Sequence, residues 1–176
     1  DIGGHGTHTL GSILGRTVGV APEAVWIGCV NLGRHLGNPP RYLDCLQFHL
    51  APFPQAGDAL KDGRADLGAN VLNNSWGCPE IEGCDPTSLL AAVRALRAAG
   101  VFVVASAGND GSACSTIADP ISLYDEVFSV GAINEFGEIA PFSSRGPVLA
   151  DGSGRIKPDV VAPGVDVLSA TPGGTY

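Results

Sequence analysis

The stretch Leu89-Leu90-Ala91-Ala92-Val93-Arg94-Ala95-Leu96-Arg97-Ala98-Ala99-Gly100-Val101-Phe102-Val103-Val104-Ala105 decides the fold. Its first half puts Leu89, Val93 and Leu96 on one helical face, entered through Asp85-Pro86-Thr87 and stopped by Gly100. Its second half, Val101 to Ala105, is a continuous apolar run rich in β-branched residues, the pattern of a strand covered on both faces. A helix that runs straight into a buried strand is half of a strand–helix–strand unit. Asn70 to Asn74 supplies the strand before it, and Val127 to Ala132 and the shorter Val160 to Ala162 repeat the pattern after it. Upstream, His5 to Leu14 reads as a small-residue helix and Val25 to Val30 as a buried strand. Pro39 and Pro40 then open a helix with Leu43, Leu46 and Leu50 at helical spacing. Pro52 to Gly68 is a surface excursion. The order predicts an α/β fold of three layers, a mainly parallel sheet with helices on both faces, in one domain over residues 1–176.

Composition removes several classes of function. With 18 acidic against 10 basic residues and a net charge of −8, the chain offers no phosphate-binding surface, so nucleic acid is not expected as a partner. No apolar run approaches the ~18–20 residues that cross a bilayer, so no membrane span is expected in this segment. The five cysteines form no CxxC and no Cys/His ligand spacing, which argues against zinc. Cys78 and Cys84 bracket a short turn-rich loop that a disulfide could close, while Cys29 and Cys45, in apolar runs, read equally well as small buried residues. An odd total leaves at least one thiol free or paired elsewhere. Some disulfide use, and with it an oxidising compartment, is the favoured reading. Asp at position 1 and the absence of Met suggest an internal piece of a longer chain.

In parallel sheets, ligands sit beyond the carboxyl ends of the strands, and here two strand tails are unusually polar. They are Asn73-Asn74-Ser75-Trp76-Gly77 and Ser106-Ala107-Gly108-Asn109-Asp110-Gly111. An Asn on a Gly-flanked turn can donate to charge developing on a carbonyl oxygen; it is also a common left-handed turn residue. Ser75-Trp76-Gly77 offers backbone groups against which an extended peptide could pair, or simply ends a strand with Trp76 as a surface cover. His5, at a helix start, meets the positive end of the helix dipole, which favours the neutral ring as a base. His8 lies three residues on, but no Glu stands between the two and no third metal ligand is evident. Asn73-Asn74-Ser75 fits a glycosylation sequon, although a crowded strand end argues against modification.

Five motifs occur in one order: His5-Gly6-Thr7-His8-Thr9-Leu10-Gly11, Asn73 to Gly77, Ala107-Gly108-Asn109, Phe142-Ser143-Ser144-Arg145-Gly146, and Lys157-Pro158-Asp159-Val160-Val161-Ala162-Pro163-Gly164. Together they span nearly the whole chain, and the chain resembles the subtilisin-like serine proteases, with the bacillopeptidase F group nearest. The resemblance implies a serine endopeptidase with a polypeptide substrate, secreted to the outside of the cell or its surface; whether the full-length protein carries a pro-segment is left open. It matches His5 to the catalytic general base and Asn109 to the oxyanion-hole donor. Ser75, Trp76 and Gly77 match one wall of the primary specificity cleft, and Ser106, Ala107 and Gly108 the opposite wall. Small residues there imply a roomy slot that tolerates apolar or bulky side chains. His8 matches a structural histidine.

The departures are equally specific. The family's triad runs Asp, His, Ser; Asp1 is too close to His5 to be its acid, and the nucleophile is expected a few residues beyond Tyr176. Ser75, Ser106, Ser143 and Ser144 are poor substitutes, since none sits in the family's nucleophile turn. The 176 residues alone are therefore expected to be inert, with an incomplete core and apolar patches left open. No cofactor is required by this reading. The family's calcium loop has no counterpart after Gly15-Arg16-Thr17-Val18-Gly19, and Asp110, Asp119 and Asp125 fit no EF-hand spacing, so solvated turn acids are the favoured reading. Two other classes compete. A non-catalytic peptide-binding module would keep the fold and replace the triad partners, and a nucleotide-binding α/β domain would need a G-x-G-x-x-G or P-loop that is absent here.

Overall fold

The computed structural model describes residues 3–174; Asp1 and Tyr176, both touched by the reading above, lie outside the described residues. The chain forms two compact units. One combines residues from both ends of the chain, and the other is Gly28–Val165.

The smaller unit is organised by helix α1 (His5–Leu14), whose bounds are those expected. Gly4 takes a left-handed conformation at its start, a position where a side chain would strain the backbone. On the helix flank a Cβ at Gly11 would fall 2.5 Å from the Ser169 hydroxyl, so only glycine lets the returning segment lie so close. Ser169 Oγ donates to the His8 carbonyl at 2.6 Å, and His8 Nε2 lies 3.0 Å from the Val167 carbonyl. Because a carbonyl can only accept, this bond places the His8 proton on Nε2. His8 is therefore a structural clasp within its unit, the role the resemblance assigns to it.

The larger unit holds a four-stranded sheet of β1 (Val71–Asn74), β2 (Phe102–Ser106), β3 (Phe128–Ile133) and β4 (Val160–Pro163). All neighbours are parallel and the order is sequential. Helix α2 (Pro39–Leu50) starts at Asn38, whose side chain accepts from the Arg41 amide at 3.0 Å, with Pro39 and Pro40 opening the first turn. Helix α3 (Leu90–Ala98) packs on β2 and against α2. Tyr42 and Leu46 of α2 join Leu89, Val93 and Leu96 in one buried cluster with Leu72, Val103 and Ala105, which alternate onto one sheet face. At the far end of the sheet, Lys157 is buried and donates to the Val127 carbonyl at 2.5 Å and to Asp159 Oδ2 at 2.6 Å. The same carboxylate oxygen accepts the Ser129 amide at 2.7 Å, so the Lys157–Asp159 motif fastens β4 to β3. Burial alone would raise the Asp159 pKa, but the bonds from Lys157 and Ser129 hold it below the usual carboxylate range.

Several expectations change. The run Val25 to Val30 is not a strand: it makes no ladder, and Val25 is 97% exposed. An apolar run needs a strand beside it to become one, and among the described residues none pairs with it. Cys29 instead forms a disulfide with Cys45, and Cys78 does so with Cys84, leaving Cys114 free and exposed. Helix α3 begins at Leu90, not at Asp85, because Asp85 Oδ1 captures the Thr87 amide and hydroxyl while Ser88 Oγ accepts from the Asp85 amide. These local bonds hold the preceding residues in turns. Strand β2 is not covered on both faces: Phe102 is 44% exposed, and Val71 and Val160 share its open face. Both helices of the larger unit lie on the opposite face.

Candidate active site

In the register of β1 and β2, Asn74 stands opposite Ala105, so the segments that leave these strands emerge side by side at one sheet edge. Buried Asn74 reinforces the pair by donating from Nδ2 to the Val104 carbonyl at 3.0 Å. The tails that begin at Ser75 and Ser106 therefore leave neighbouring strands at the same end of the sheet.

The first segment is held largely by side chains. The Trp76 ring stacks on the buried Tyr42 ring with centroids 4.2 Å apart and planes within 8°. The Tyr42 hydroxyl donates to Glu82 Oε2 at 2.5 Å and lies 3.3 Å from the Gly77 carbonyl. Burial, then the Glu82 carboxylate, drives the Tyr42 pKa well above the usual phenol value. Ser75 Oγ accepts from Asn73 Nδ2 at 3.1 Å, and the Cys78 amide donates to the Pro120 carbonyl at 2.9 Å. Asp119 lies within van der Waals reach of Gly77. Its pKa is raised, by burial first and then by the charges of Asp110 and Glu82.

The second segment is held through backbone. Ala107 N–H donates to the Val130 carbonyl at 2.9 Å, which prolongs the ladder past β2. Gly108 has φ +109, and a Cβ there would sit 2.7 Å from Ser144 Oγ. Buried Ser144 grips the turn from both sides: its amide donates to the Gly108 carbonyl at 3.1 Å, and its hydroxyl accepts the Asp110 amide at 2.9 Å. Asn109, between those two anchors, is exposed, and its amide makes no hydrogen bond within the described residues. It is a side-chain donor on a turn fixed from both sides.

His5 stands in the smaller unit as the first residue of α1, exposed, with its ring unbonded among the described residues. Ser143 is buried, and its hydroxyl accepts the Ala132 amide at 3.0 Å. Both serines of the 142–146 motif are thus committed to backbone. Sequence reasoning weighed Ser144 only as a stand-in nucleophile and missed its grip on the Asn109 turn. It also missed Tyr42 and Glu82, which lie outside every motif, and read Trp76 as a cleft wall or a surface cover without seeing the ring it stacks on. Asp125 lies 3.5 Å from Arg155 Nε. No group of three or more His, Cys, Asp or Glu among the described residues is placed to hold a metal ion.

A parallel α/β sheet with two polar strand tails at one edge defines a class of ligand-binding or hydrolytic domain. Comparison makes that class specific. The family model described as the subtilase family, Peptidase S8, matches residues 1–176, and the chain belongs to that family. It is 35% identical over 182 residues to bacillopeptidase F of Bacillus subtilis (strain 168), covering 98% of this chain and 12% of that protein. It is 33% identical over 183 residues to the thermophilic serine proteinase of Bacillus sp. (strain AK1), covering 100% of this chain and 38% of that protein. Among solved structures, the prenylagaramide maturation protease PagA superposes with a TM-score of 0.68 at 24% identity, over 98% of this chain and 56% of that one, a likeness of fold. The chain spans well under half the length of these two curated relatives.

Proposed function

We propose that residues 1–176 form part of the catalytic domain of a serine endopeptidase that hydrolyses peptide bonds in polypeptides. The observation that carries this reading is the pair of strand tails, Ser75–Gly77 beside Ser106–Asn109, in a chain that matches the subtilase family from end to end. An extended peptide lies between the two tails, and its scissile carbonyl oxygen meets the free Asn109 amide. A serine of the protease attacks the carbonyl carbon, His5 takes the hydroxyl proton, and negative charge moves onto the oxygen at Asn109. When the tetrahedral adduct collapses, His5 gives the proton to the departing amine, leaving an acyl-enzyme that water hydrolyses by the same route. Ser143 and Ser144 do not serve as that nucleophile, because each is buried and holds a backbone amide. Secretion belongs to the same reading and is supported by the two disulfides, which persist in an oxidising compartment.

The test is hydrolysis of denatured casein by the intact gene product. His5→Ala is expected to remove turnover, and Asn109→Ala to cut kcat about 10²–10³-fold, a magnitude taken over from subtilisin's own oxyanion asparagine. Undiminished turnover in His5→Ala overturns the proposal. Peptide binding by the intact product with no cleavage at all would favour the non-catalytic module.

A further inference from the structure

Tyr42 and Glu82 are forty residues apart in sequence, yet their bond stands directly behind Trp76. Both oxygens of the Glu82 carboxylate are engaged: Oε2 accepts the Tyr42 hydroxyl, and Oε1 accepts the Gly37 amide at 2.8 Å. Glu82 ends a short turn inside the loop that the Cys78–Cys84 disulfide closes, so its position is set covalently at both ends of that loop. Gly37 completes the arrangement, because a Cβ at that residue would fall 2.0 Å from the Tyr42 hydroxyl. One face of the Trp76 ring lies on Tyr42, and the same hydroxyl reaches the Gly77 carbonyl, so a single buried side chain touches two consecutive residues of the segment.

We infer that Tyr42 is a positioning residue for Trp76 and Gly77, locked by Glu82 within the Cys78–Cys84 loop, so that this segment meets the peptide as a rigid wall. The inference rests on the protease reading for the use of that wall. Neither Tyr42 nor Glu82 touches reacting atoms. Their loss therefore weakens substrate binding and leaves the chemical step in place, which raises KM at nearly constant kcat. A merely structural role would lower the fraction of active enzyme instead, and kcat would fall with KM unmoved.

The experiment uses the intact gene product in a Trp26→Phe background, so that of the two tryptophans in this chain only Trp76 remains. Three variants act on the lock without removing the aromatic stack. Tyr42→Phe deletes the hydroxyl, Gly37→Ala displaces it, and Glu82→Gln keeps only one acceptor oxygen. On an N-succinyl tetrapeptide p-nitroanilide, Tyr42→Phe and Gly37→Ala are expected to raise KM about three- to tenfold with kcat within about twofold, and Glu82→Gln less. Acrylamide quenching of Trp76 emission, taken as the difference from a Trp76→Phe control that subtracts any tryptophan outside residues 1–176, is expected to rise about twofold in the first two. Unchanged KM with unchanged quenching in an active enzyme overturns the inference alone, as does a fall in kcat at constant KM. A parent enzyme that cleaves nothing overturns the protease reading instead, and the quenching measurement still reports whether the lock holds the ring.

Discussion

The two strand tails carry neighbouring parts of one proposed cleft but are built from different materials. The tail after β1 is stiffened by side chains from distant sequence: an aromatic stack, a carboxylate and a disulfide. The tail after β2 is held through its backbone groups, with one glycine at positive φ and one distant serine whose amide and hydroxyl each hold one end of the turn. A segment that must hold one amide at one spot tolerates little freedom. A segment that only presents a surface can be rebuilt through the residues behind it.

The same substitution in each tail breaks or upholds this contrast with the largest effect. Gly108→Ala combines a strained positive φ with overlap on Ser144, and should cost about 2–4 kcal/mol of stability and lower hydrolysis about a hundredfold by moving Asn109. Gly77→Ala meets Asp119 only at ordinary contact distance, and should cost less than about 1 kcal/mol. Equal losses in thermal denaturation would erase the difference. Next in size, replacing Cys78 and Cys84 together by serine should destabilise the first tail by about 2 kcal/mol through the freed unfolded loop. Activity in that variant should fall through KM, and the Asn109 turn should keep its amide exchange protection. Ser144→Ala should lower stability by about 1 kcal/mol and should act on kcat rather than KM, reversing the signature of the first tail. The smallest effect belongs to Asp119. Because its folded pKa is raised, the charged form is penalised as pH climbs from the ordinary carboxyl range through the raised value, and the penalty is complete at neutral pH. Asp119→Asn should therefore raise Tm by about 1–2 °C at pH 7, a partly solvated group being discounted, and by nothing below about pH 3.5.

Local pattern was readable where one physical signal dominated. The β-branched runs near 102–106, 128–133 and 160–163 became strands because each found a parallel neighbour, and α1 and α2 keep the bounds that apolar spacing and the paired prolines set. Val25 to Val30 carries the same signal and failed, since hydrophobic sequence does not itself supply a ladder partner. The start of α3 was misplaced because Asp85 and Ser88 offer the backbone a turn that competes with the helix. At the site, the strand-end motifs pointed to Ser75–Gly77 and Ser106–Asn109. Ser144 was visible as a letter but not as a clamp, since its partners are more than thirty residues away. The Tyr42–Glu82 bond had no local signature at all: only the fold brings Gly37, the first turn of α2 and the disulfide loop together.

The open face of the sheet has a practical outcome at the bench. Val71, Phe102 and Val160 form an oily flank that water wets poorly, so the isolated 176 residues should bind amphiphilic dyes such as ANS in their folded state. Kosmotropic salt should then precipitate the polypeptide at concentrations that leave well-sealed proteins of similar mass in solution.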